Sequence, residues 1–104
     1  MQDATAAQAL AALGNTTRLQ LFRLLVRAGE EGATVGELQR MLEIPASTMA
    51  HHLSSLTRAG LVIQERQGRE VISRVDFRLT VNLVGYLTDE CCTGLKVERA
   101  DDAA

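Results

Sequence analysis

Aromatic residues are scarce here: Phe and Tyr together make up 3% of the 104 residues, and tryptophan is absent. A core with so few rings must be built from Leu, Val, Ala, Ile and Met, which suits packed helices, and a ring-lined enzyme pocket is not expected. Cysteine occurs twice, as the adjacent pair Cys91 and Cys92. Neighbouring residues are poorly placed for a staple, which normally closes a longer loop, so a disulfide framework is excluded and a reducing compartment fits. No apolar run approaches the ~20 residues of a membrane span, and no basic start with an apolar run precedes a small-residue cleavage site. A cytoplasmic protein with no membrane partner is expected. Surplus positive charge is also missing, the formal net charge being −2. Any nucleic-acid-binding role must therefore come from local geometry.

What is present reads as one domain over 1–104, with a flexible tail from about 93 to 104 and no internal repeat. "DATAAQALAALG" (3–14) places Ala7, Leu10, Ala11 and Leu13 at helical spacing before Gly14, a natural stop. "TTRLQLFRLLVRAG" repeats apolar residues at Leu19, Phe22, Leu25 and Val26, with Thr16 or Thr17 as the cap and Gly29 as the end. "TVGELQRMLEI" opens on Thr34 with Glu37 three residues later, the spacing of a capping box, and is expected to bury Val35, Leu38, Met41 and Leu42.

A turn at Ile44-Pro45 then starts a new helix, because proline disfavours helix in the residue before it and is tolerated at a helix start. Met49, Leu53 and Leu56 form its inner stripe, while Ser47, Thr48, His51, Ser55 and Arg58 share another face. Gly60 ends it. "LVIQERQGREVISRVDF" alternates apolar and polar residues around Gly68, with Arg66 and Arg69 beside the tip, and reads as a hairpin. Two helices joined by a tight turn and followed by a basic hairpin make a winged helix-turn-helix, a mainly α fold with a small β-hairpin. A last helix is expected from Arg78 to about Cys92, with Leu79, Leu83, Val84, Leu87 and Cys91 on its apolar face.

A helix that reads base edges in the major groove needs small polar or forked groups near its N-terminus, where Ala46, Ser47, Thr48, Ala50 and His51 stand. Arg58, Arg66 and Arg69 are better placed for phosphate. In an arbitrary helix the same Ser/Thr/His face would simply be solvated; its company with the turn and hairpin favours DNA. His52 and Arg18 are read as structural, the first beside the inner stripe and the second at a helix start.

"ALGNTTRLQLFRLL", "TVGELQRMLEIPASTMAHHLSSLTRAGLV" and "RQGREVISRV" together resemble the ArsR family of small bacterial repressors, whose strings run "LgdptRLrIL" and "SxxSxHLxxLrxAGLV". The resemblance spans residues 5 to about 92. It implies a homodimer in which the first and last helices pack against their mates, through Ala7, Leu10, Ala11, Leu83, Val84 and Leu87, and double-stranded operator DNA as partner. No cofactor is implied. Two familiar metal sites of the family are not matched: its "CVC" string falls on Thr34, Val35 and Gly36, and the last helix holds no histidine. Cys91 and Cys92 instead resemble an arsenic-responsive branch with "CC", a glycine and a third cysteine; Gly94 fits, but Glu98 stands where the third thiol would be.

Soft thiophilic ions prefer sulfur, and adjacent thiolates partly satisfy the pyramidal coordination of trivalent arsenic or antimony. As(III) or Sb(III) is therefore the expected inducer. Zinc wants four ligands, two more than the pair supplies. Other readings stay open: cysteines that only pack, a redox switch, or a constitutive winged helix without ligand. An enzyme is not expected, since cysteines and histidines lie on different segments and there is no phosphate loop or oxyanion motif.

Overall fold

The computed structural model describes residues 1–95, which form five α-helices and a three-stranded antiparallel sheet. The chain runs α1 (Asp3–Leu13), α2 (Thr16–Ala28), one 3-10 turn (Gly29–Glu31), β1 (Ala33–Thr34), α3 (Val35–Leu42), α4 (Ala46–Arg58), β2 (Val62–Gln67), β3 (Glu70–Val75) and α5 (Phe77–Thr88). Residues 93–95 of the expected tail are described; the rest of it, with Glu98, lies outside the described residues. Among the described residues no helix is long and apolar enough to cross a membrane.

On α1 the buried residues are Ala6, Ala9 and Ala12. Ala7, Leu10 and Ala11, expected at a dimer interface, are exposed on the protomer, and Leu13 is half-buried against the core. Alanine allows helix axes to approach closely, so the smallest side chains sit where α1 meets α2 and α4, and the larger Leu10 is turned out. The cap of α2 is Asn15, not a threonine: its backbone is extended and its side-chain oxygen accepts from the Arg18 N–H at 3.0 Å. Asparagine is as strong a cap as any residue and lies one position earlier. Leu21, Phe22 and Leu25 then point inward, leaving Leu19 and Val26 exposed.

The capping box of α3 forms as read. The Glu37 N–H donates to Thr34 Oγ1 at 3.1 Å, and the Thr34 N–H donates back to Glu37 Oε1 at 3.2 Å. These bonds, the backbone one foremost, hold the Glu37 carboxyl below its ordinary pKa. Leu38 is buried, Val35 and Leu42 are half-buried, and Met41 is exposed. Helix α3 stops at Glu43, in the left-handed region at φ 54°. Pro45 then supplies the extended residue before α4, and its carbonyl accepts from the Met49 N–H at 2.9 Å.

Strand β1 has no counterpart in the sequence reading, because two residues are too few to show alternation. It pairs with β3 at Ala33↔Ser73 and Thr34↔Ile72, giving the order β1-β3-β2. Gly32 just before it has φ 68°, and a Cβ there would strike the Ser73 carbonyl, so only glycine fits. The β2–β3 hairpin is in register from Val62↔Val75 to Gln67↔Glu70, leaving Gly68 and Arg69 as its two-residue tip. Gly68 has φ 64° and Arg69 does not share a positive φ, the pattern of a type II′ turn.

Leu21, Leu25, Leu38, Met49, Leu53, Leu56, Leu61 and Val75 form the centre of the core. Asp76 caps α5, its side chain accepting from the Leu79 N–H at 3.2 Å. Leu83 of α5 faces inward and is 4% exposed, so it belongs to the protomer's own core and not to the outer face assigned to it with Val84 and Leu87. The outer face carries Val81, Val84 and Leu87, exposed by 67%, 60% and 56%. α5 also ends sooner than expected. Asp89 is extended, and Glu90 and Cys92 take positive φ, so both cysteines lie in a turn beyond the helix.

Candidate nucleic-acid interface

Helix α4 presents to solvent a run of small side chains at its start. Ala46, Ser47, Thr48, Ala50 and His51 are all exposed, as are Ser54 and Arg58 further along. Its opposite face is anchored by Met49, Leu53 and Leu56. Burying each such side chain is worth about 1.5–3 kcal/mol, so α4 has little freedom to roll.

Arg18 fixes the helix against the rest of the bundle. Its Nε donates to the Ala12 carbonyl at 2.7 Å, near the end of α1, and its Nη1 donates to Ser55 Oγ on α4 at 3.2 Å. One guanidinium at the start of α2 thus ties three helices together. Ser55, expected on the reading face, is half-buried and engaged by this bond. Its spacing from Ser47 and His51 is right for that face, but it lies far enough round the helix to reach Arg18.

His52 sits beneath the face, 8% exposed, and its Nδ1 has no hydrogen-bond partner among the described residues. Burial, then the charges of Arg18 and His51, hold its pKa below the ordinary value of 6.5. His52 is therefore neutral at neutral pH, while His51 beside it projects outward, their ring centroids 5.8 Å apart.

The hairpin carries Arg66 and Arg69, both exposed and neither in an ion pair among the described residues. Arg74 of β3 is different. It pairs with Glu65 across the hairpin and lies 3.9 Å from Glu30 on the 3-10 turn, contacts that raise its already high pKa, the Glu65 bond foremost. Glu65 is thereby occupied, and the free cations of the hairpin are Arg66 and Arg69. The α4 face and this hairpin both combine hydrogen-bonding side chains with unpaired positive charge, despite the acidic total.

Cys91 and Cys92 are both free and exposed, with their Sγ atoms 2.9 Å apart. The Cys91 N–H donates to the Thr88 carbonyl at 3.0 Å, which holds the turn against the end of α5. The thiol–thiol hydrogen bond, and then burial, push the Cys91 pKa up. Among the described residues no group of three His, Cys, Asp or Glu side chains is placed to hold a metal ion. Among the described residues the pair offers two sulfur donors.

Comparison with known proteins bears on this geometry. A family model described as a helix-turn-helix domain matches residues 13–65. A Halobacterium salinarum protein named as an arsenical resistance operon repressor is 43% identical over 60 residues, 58% of this chain and 46% of that protein. The chain belongs to the ArsR family of winged helix-turn-helix regulators. It spans about half the length of the curated relatives it matches. An ArsR-like transcriptional regulator from Rhodococcus sp. RHA1 superposes with a TM-score of 0.71 at 27% identity, covering 81% of this chain and 76% of that one. A homodimeric winged helix-turn-helix DNA-binding domain from Mycobacterium bovis gives 0.65 at 23% identity over 95% and 97%, a likeness of fold.

The ArsR family is one of DNA-binding regulators, not enzymes. The family match begins at the end of α1 and stops within β2. It covers α3 and α4, and leaves Arg66, Arg69, α5 and the cysteines outside. Sequence reasoning took Arg18 as structural but did not find its bond to Ser55; no local pattern points to a partner 37 residues away.

Proposed function

We propose that this chain is a homodimeric repressor that binds double-stranded operator DNA through α4 and the hairpin and is released by a thiophilic inducer, trivalent arsenic or antimony, at Cys91 and Cys92. The observation that carries the DNA reading is the exposed Ser47, Thr48 and His51 face of a helix locked by Arg18, next to unpaired Arg66 and Arg69. Ser47, Thr48 and His51 meet base edges; Arg58, Arg66 and Arg69 meet phosphate. Exposed apolar residues on α5, with Leu10, Ala7 and Ala11 on α1, support a dimer interface, as does the homodimeric Mycobacterium bovis domain. The inducer reading rests on the paired thiols and on the name of the Halobacterium relative. The protein acts in the cytoplasm, where DNA and reduced thiols coexist.

The DNA reading is tested by Ala variants in operator titrations. Ser47→Ala and His51→Ala should weaken operator binding by about 1–3 kcal/mol and relax specificity. Arg69→Ala should weaken binding to every duplex and lower the salt slope by roughly one unit. Variants that bind operator and scrambled duplex as the wild type does would sink the assignment.

One observation favours a second reading, a redox-responsive or constitutive regulator with no metalloid ligand. Both thiols lie beyond the end of α5 and off its apolar face, so a ligand there need not disturb a dimer. Release by arsenite that persists in both Cys91→Ser and Cys92→Ser would remove the cysteines from the inducer role.

A further inference from the structure

We infer that the cleft between α1, α2 and α4, lined by Gln8, Arg18, Ser55 and Arg58, is a binding site for a phosphate dianion, free or as the terminal group of a small molecule. The cleft has a volume of about 280 Å³, just below the ~300 Å³ at which small-molecule sites begin. Two guanidinium groups line it, and no carboxylate does. Arg18 is half-buried, and among the described residues neither it nor Arg58 forms an ion pair. A charge partly withdrawn from water is costly when nothing opposes it. In a chain of net charge −2, an uncompensated pair of arginines is therefore a place for an anion from outside.

The donors left over in the cleft match a phosphate. Arg18 uses two of its five N–H groups, Nε–H to the Ala12 carbonyl and one Nη1–H to Ser55 Oγ, and three stay available. Ser55 accepts in that bond, so its own O–H is free to donate. Arg58 brings a second guanidinium fork from the last turn of α4, and Gln8 an amide from the exposed side of α1. Ala11, Ala12 and Ala59 present only methyl groups, which leaves the space between the forks open. Planar guanidinium groups bind phosphate oxygens in pairs, and such charge-assisted bonds are the strong ones. Charge decides among oxyanions. Two unpaired cations match a phosphate monoester or inorganic phosphate, which carries about −1.5 to −2 at neutral pH, better than a DNA phosphodiester with its single charge. Because Arg18 already ties α1 and α4 to α2, occupancy of the cleft acts directly on the helix proposed to read DNA.

The test uses the reduced chain as it assembles in solution, with inorganic phosphate and glycerol phosphate as probes and sodium chloride holding the ionic strength constant, so that general screening cancels. Without DNA, calorimetry should show one phosphate group bound per chain, half-saturated at about 1 mM or below. Gln8→Glu, which places a carboxylate in the cleft, and Arg58→Gln should each weaken that binding by roughly tenfold or more. Tighter binding of glycerol phosphate than of inorganic phosphate would identify a phosphorylated small molecule as the ligand, and the reverse order free phosphate. A second readout is His52, whose pKa the charge of Arg18 helps to hold down. A dianion on Arg18 should move the His52 titration upward, followed by NMR of the imidazole, and Gln8→Glu should move it in the same direction without phosphate. No binding by the wild type, binding that survives Gln8→Glu, or a His52 titration unmoved at saturation would overturn the inference. Operator titration in phosphate-free buffer separates a free phosphate from that of DNA. There Gln8→Glu should bind operator as the wild type does; a severalfold loss, with no binding of either probe, would give the cleft to the DNA backbone and refute the inference.

Discussion

Two polar side chains, half-buried Arg18 and buried His52, govern how α4 is held, and each makes a measurable demand. Arg18 bonds Ala12 and Ser55 at once, so Arg18→Ala should lower the midpoint of urea unfolding by the equivalent of about 1.5–3 kcal/mol, the range for bonds to a charged group. It should also weaken operator binding although Arg18 is not on the exposed face of α4. An unchanged midpoint would show that the bonds contribute nothing net. His52 titrates below its ordinary value because burial, then Arg18 and His51 nearby, disfavour its charge. As pH falls through 6.5 the unfolded chain takes the proton first, so it binds more protons than the fold and stability declines. The stability His52 contributes is thus present above that pH and is lost toward the lower, folded-state pKa. His52→Gln should flatten the stability–pH curve in this window, as measured by chemical denaturation between neutral pH and pH ~5. Identical slopes for the two proteins would contradict the assignment of His52 as a buried neutral imidazole.

At the scale of elements, α5 carries two apolar faces with different tasks. Leu83 packs inward, and Leu83→Ala should cost about 2–5 kcal/mol of stability, as buried Leu truncations do. Val84 and Leu87 face outward, so Val84→Glu with Leu87→Glu should leave protomer stability nearly unchanged while giving a monomer that fails to bind operator, read by sedimentation and anisotropy. A dimer at micromolar concentration would place the interface elsewhere. The sequence pattern made every helix visible but not always its rotation. Where a helix has one apolar stripe, as with Met49, Leu53 and Leu56, the buried face was legible. Where apolar residues ring the helix, as on α5, the choice of face depends on which side chains fit at the closest approach, a tertiary fact. The end of α5 was missed for a related reason: "DECC" contains no proline and its glycine comes later, so the positive φ of Glu90 and Cys92 had no local signal. The capping box and the glycine-tipped hairpin were legible because each rests on contacts within a few residues.

For the whole molecule, the proposed function requires DNA recognition to arise without bulk positive charge, from two copies of one helix held at a fixed spacing. A salt-sensitive but sequence-selective interaction is expected, with phosphate contacts supplied by Arg58, Arg66 and Arg69 and selectivity by the start of α4. Nonspecific binding should be weak, because the −2 net charge gives little long-range attraction. The most direct measurement is in vitro selection of duplexes from a random pool by the reduced chain, with the Val84→Glu/Leu87→Glu variant run alongside. The wild type should enrich a pseudo-palindrome whose half-site centres lie about 34–36 Å apart, one helical turn, and the variant should enrich nothing. Enrichment of a single asymmetric site by both proteins, or of no sequence by the wild type, would contradict recognition by a dimer through α4.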